Sequence, residues 1–131
     1  MITDEKPATA EPFRFILVTL SLWKWAGAIA VGGSSEDLKA FAKTQDIDID
    51  ANGATEVGRA YVEIGKPWLL WVESLENIPA LAHEALHVAS GVLEARGLKH
   101  TPESEEAYTY TMESIIRTAL TATEWETACP A

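Results

Sequence analysis

Apolar residues dominate Phe13 to Leu22, interrupted by Arg14, Thr19 and Ser21. With apolar residues on both faces, this reads as a strand central in its sheet. Trp23 to Val31 either prolongs it or returns as a second strand, and Gly32-Gly33 ends the run. Ser34 or Ser35 is placed to cap a helix, SSEDLKAFAKTQ, with acids in its first turn and Leu38, Phe41 and Ala42 as its apolar stripe. Arg59 to Ile64 alternates as a strand should, and Gly65-Lys66-Pro67 turns the chain into Trp68 to Val72, which completes a hairpin. Asn77 and Pro79 open a long helix that Gly97 stops, covering about 78–96. Thr101-Pro102-Glu103 restarts a helix that runs to about Thr123, with Ala107, Tyr110, Ile115 and Ala119 on its buried stripe. The order predicts an α+β fold: a small, mostly antiparallel sheet with one N-terminal helix, then two long packed helices on one sheet face.

Residues 1–12 are polar with two prolines and read as a loose arm, leaving 13–131 as a single domain. Ten Lys and Arg against twenty Asp and Glu give a formal charge of −10. That balance argues against sequence-independent binding to nucleic acid, which needs clustered cations. The stretch from Phe15 to Gly33 has nearly the length of a membrane span. Lys24 in its middle and its three glycines favour buried strand material instead, so no membrane association is expected. One cysteine, Cys129, excludes an internal disulfide framework and has no activating neighbour in sequence; a reducing, cytoplasmic setting suits it.

Chemistry enters at His83-Glu84-Ala85-Leu86-His87, an H-E-x-x-H sequence inside the first long helix. Residues four apart share a helix face, so both imidazoles point one way and can grip one metal ion. Glu84 points to the side of that face, where it can take a proton from water without being a ligand. Zn²⁺ suits two imidazoles and a carboxylate with one position open. An extended signature with glycine at position 90 and histidine at 93 is excluded by Ser90 and Leu93. The third ligand is then sought in the next helix, which a short turn makes antiparallel. Glu106 or Glu105 can serve. Glu106 is preferred because it shares a face with Tyr110 and Glu113, while Glu103 suits a solvated first-turn acid and His100 an exposed turn.

HEALH followed by EEAYTY resembles the gluzincin branch of zinc metallopeptidases. More narrowly, residues from about 37 to 117 resemble the small single-domain zincins encoded by phages and prophages, with Thr109 where alanine is usual. The resemblance implies a minimal zincin-like domain in which His83, His87 and Glu106 hold Zn²⁺ and Glu84 is the catalytic base. It also implies that Trp68 to Val72 lies at the sheet edge and pairs with an extended peptide or protein substrate. A phage or host protein partner, and the host cytoplasm or the virion as location, follow from it too. Tyr108, Tyr110 and His100 are the candidates to assist the oxyanion. The rival is a phage assembly or interaction protein with a structural or vestigial zinc site.

Two further patterns carry less. DIDIDANG at 46–53 begins like a calcium loop, but Arg59 or Val57 stands where a bidentate glutamate is required, so it reads as an acidic turn. Trp68 and Trp71 fall on opposite strand faces, which leaves one of them free to lie exposed near the site.

Overall fold

The computed structural model describes residues 11–50 and 56–127. Strands β1 (Arg14–Leu20) and β2 (Trp25–Val31) are followed by helix α1 (Ser35–Thr44). Strands β3 (Gly58–Tyr61) and β4 (Trp68–Val72) lead into helices α2 (Ile78–Ala95) and α3 (Glu105–Thr121) and a short strand β5 (Glu126–Thr127). The five strands form one sheet in the order β3-β4-β2-β1-β5. All neighbours are antiparallel except β2 and β4, which run parallel with Gly27 opposite Trp68 and Val31 opposite Val72. The α+β class expected from the element order is the one found.

The apolar segment after Trp23 returns rather than continues. Lys24 takes a positive φ of 54° in the turn, and Val18 pairs with Gly27 in the resulting hairpin. α1 begins with a capping box. Ser34 accepts from the Asp37 backbone N–H, and the Asp37 carboxylate accepts from the Ser34 N–H, so helix donors with no partner of their own are satisfied. Pro12 and Glu11 are not loose. The Gly33 N–H donates to the Glu11 carbonyl at 2.9 Å, and Ser74 donates to the Glu11 carboxylate at 2.7 Å. The remainder of the expected arm, residues 1–10, lies outside the described residues, as do Cys129 and positions 51–53 of the acidic turn.

Helices cover both faces of the sheet, not one as expected. Along β4, Trp68, Leu70 and Val72 join Leu81, Val88, Tyr108 and Ile115 beneath α2 and α3, while Leu69 and Trp71 join Leu38, Phe41 and Ile47 beneath α1. Period-two alternation puts successive residues on opposite faces, and an all-apolar strand therefore needs cover on both sides. Trp68 and Trp71 do occupy opposite faces, but each is 0% exposed, so neither is a surface platform. Each indole N–H is satisfied by a backbone carbonyl, Trp25 for Trp68 and Gly32 for Trp71.

The same physics corrects the expected substrate strand. β4 lies inside the sheet between β3 and β2, and β3 is the edge. A five-residue run of large apolar side chains marks an interior strand, whereas GRAY, half-buried throughout, is composed like an edge. β3 is also shorter than the expected 59–64.

α3 starts at Glu105, later than the Thr101 cap predicted. The Thr101 N–H donates to the Ser104 hydroxyl, which closes a turn ahead of the helix. The buried stripe is Tyr108, Thr111, Ile115 and Ala119; Tyr110, expected in it, is 65% exposed.

Candidate metal site on helix α2

α2 is built as its sequence predicts. Asn77 accepts from the Ala80 N–H, Pro79 sits in the first turn where a missing N–H is harmless, and Leu81, Ala85, Val88 and Val92 face the sheet. His83 and His87 fall on the outward side, one turn apart and exposed. Their rings meet edge to face at 72° with centroids 4.7 Å apart, and the two Nε2 atoms lie 3.2 Å from each other. Two nitrogens bound to one tetrahedral zinc at about 2.0–2.1 Å would stand about 3.3 Å apart. The imidazole pair therefore fits the donor separation of such an ion without moving the helix.

Glu84 points to the side of that pair, toward Gly58 of β3, and is 8% exposed. Burial pushes its carboxyl above the ordinary carboxylate range, and the adjacent Glu56 adds to that. His83, His87 and Arg59 pull in the opposite direction without cancelling it. The rise is what removal of a carboxylate from water produces.

Between β3 and α2 runs a cleft of about 480 Å³, lined by Gly58–Tyr61 of the edge strand, by Val62 just after it and by His83, Glu84, His87 and Gly91. Arg59 crosses its wall with its guanidinium gripped by both oxygens of Glu56, at 2.6 and 3.0 Å. Both side chains are largely buried. Gly58, Arg59, Glu56 and Tyr61 escaped the sequence reading as site residues. The only signal that could have found them was the edge-like composition of GRAY beside the fully apolar WLLWV.

Glu106 does not join the histidines. Among the described residues no group of three His, Cys, Asp or Glu is gathered in a way that could hold a metal. Glu105 and Glu106 are both exposed in the first turn of α3. At 3.6 residues per turn, Glu106 lies roughly half a turn round the helix from the stripe Tyr108, Thr111, Ile115 and Ala119. It shares a face with Tyr110 and Glu113, as predicted, but that face is the solvent face. The oxyanion candidates are occupied or remote: Tyr108 donates its hydroxyl to the Leu98 carbonyl at 2.8 Å, and His100 stacks on the Tyr108 ring. Neither lines the cleft, nor does Tyr110.

No family model matches the chain, and comparison with curated proteins and with solved structures finds no significant match. No helix among the described residues is long and apolar enough to cross a membrane.

Proposed function

We propose that this protein is a zinc-dependent metallopeptidase whose metal is held by His83 and His87 and whose general base is Glu84. The observation that carries the reading is the pairing of convergent imidazoles, Nε2 to Nε2 at 3.2 Å, with a buried carboxylate from the intervening residue at the wall of one cleft. A zinc ion would supply Lewis-acid polarisation of a carbonyl and of a water molecule there. Glu84 accepts the proton of the attacking water on a carboxylate oxygen and passes it to the departing amine nitrogen, and its low exposure keeps bulk water from competing for that proton. Among the described residues β3 pairs with no strand but β4, so an extended peptide or protein segment can add to its outer edge through main-chain hydrogen bonds. A location in the host cytoplasm, or in the virion, belongs to the same reading.

One observation favours a second reading. Glu106 is turned to solvent, so the third acid of the resembled ligand set is not supplied in this arrangement of α3. In that reading the histidine pair is a structural or vestigial zinc site of a phage assembly or interaction protein.

Elemental analysis and peptide hydrolysis by wild type, His83→Ala and Glu84→Gln separate the two. The enzymatic reading expects about one zinc per chain in wild type and Glu84→Gln, loss of zinc in His83→Ala, and hydrolysis by wild type alone. Cleavage retained by Glu84→Gln removes the proposed base, and zinc bound without cleavage by wild type favours the second reading.

A further inference from the structure

We propose that Gly58 is a positioning residue for Glu84: the side chain it lacks is the slot in which the Glu84 carboxylate lies at the cleft wall. The proposal rests on the reading of Glu84 as the working carboxylate. Gly58 opens the edge strand and pairs with Val72. It is not among the glycines with positive φ, so its backbone does not require glycine. What requires it is space. A Cβ at position 58 would meet Glu84 Cγ and Oε2 at 3.0 Å each and the Trp71 carbonyl oxygen at 3.3 Å. These approaches are tighter than ordinary carbon contacts of about 3.5–4.0 Å, so the flexible partner, Glu84, has to yield by a few tenths of an ångström.

A second glycine sets the same seam from the helix side. A Cβ at Gly91 would meet the Val62 side chain at 2.8 Å. β3 and α2 therefore close on each other across two missing side chains, one of them directly at the carboxylate. This gives the glycine in GRAY a role that strand composition alone does not explain. Glycine weakens a strand interior and often marks close approach of another group.

The test is a double-mutant cycle on the metal-free chain, read as thermal midpoint, joined to kinetics on the zinc-loaded chain. Gly58→Ala is expected to lower the midpoint by about 3 °C when Glu84 is present. In a Glu84→Ala background the same change is expected to lower it by less than about 1 °C, because only the milder contact with the Trp71 carbonyl at 3.3 Å remains and alanine's restriction of the unfolded chain offsets it. Equal lowering in both backgrounds overturns the proposal. If Gly58→Ala does not fold, the Gly58→Ala/Glu84→Ala chain is still expected to fold, and its failure overturns the proposal as well. In the kinetics, displacement of a reacting group by a fraction of an ångström is expected to lower kcat about tenfold. KM and zinc affinity stay unchanged. A kcat equal to wild type, or a joint loss of kcat, KM and zinc affinity, counts against positioning. Absence of hydrolysis in wild type defeats the enzymatic reading alone, since the stability cycle reports on the Gly58–Glu84 contact without any turnover.

Discussion

Gly27→Ala tests the packing that carries the edge strand. Gly27 in β2 stands directly opposite Trp68 in β4, and the indole lies across the space where a side chain would be. A Cβ there would sit 2.1 Å from Trp68 Cδ2 and 2.3 Å from Cε2. To restore an ordinary carbon separation of about 3.5 Å, the ring must move by about 1.4 Å. It is 0% exposed and packed in the core beneath α2 and α3, so the shift pushes on the helix layer. Overpacking of this kind costs about 2 kcal/mol. The displaced indole also loses its 2.9 Å bond to the Trp25 carbonyl, worth about 1 kcal/mol. Alanine returns roughly 0.5 kcal/mol by restricting the unfolded chain. The net destabilisation is about 2.5 kcal/mol, which for 131 residues is a fall in midpoint of about 9 °C. Thermal unfolding followed by far-UV circular dichroism measures it. A fall of less than about 2 °C would refute the reasoning, since it would mean that the indole has room the structure does not give it.

Other perturbations have definite expected outcomes. Tyr108→Phe removes the hydroxyl that ties α3 to the Leu98 carbonyl in the interhelix turn; a loss of about 1 kcal/mol in urea unfolding is expected. The Tyr61 phenol is pushed up to about 12 by its hydrogen bond to Glu63, with burial and the charges of Glu63 and Asp48 adding to it. The fold favours the protonated form, so the stabilisation is complete below an unfolded value of 10.0 and disappears as pH rises toward about 12. Ultraviolet titration near 295 nm should show this late ionisation, and Glu63→Gln should bring it to lower pH. Glu106→Ala should bind zinc as tightly as wild type in a chelator competition, whereas His87→Ala should lose it; a marked weakening in Glu106→Ala would show that α3 turns its solvent face to the histidines.

Much of the fold was legible because the determining interactions are local. Ser34 and Ser35 with the acids behind them announce the start of α1, though the structure chose Ser34 and its capping box with Asp37, and Asn77 and Pro79 announce the start of α2. The turn 65–67 announces the β3–β4 hairpin. His83 and His87 needed only helical periodicity to be placed on one face, and Glu84 needed only its offset from them to be placed on another.

Tertiary structure decided what depends on partners distant in the chain. An all-apolar WLLWV is compatible with several neighbours, and only its parallel pairing with β2 made β4 interior and left β3 as the edge. A run of glutamates at the start of a helix has the same composition whichever way the helix is rolled. α3 took the roll that buries Tyr108, Thr111 and Ile115 against α2 and the sheet, because burial of those side chains outweighs anything a solvated carboxylate gains by turning inward. Two imidazoles one helical turn apart are a property of the chain itself. Whether a third ligand reaches them, and which strand walls the cleft beside them, are properties of packing.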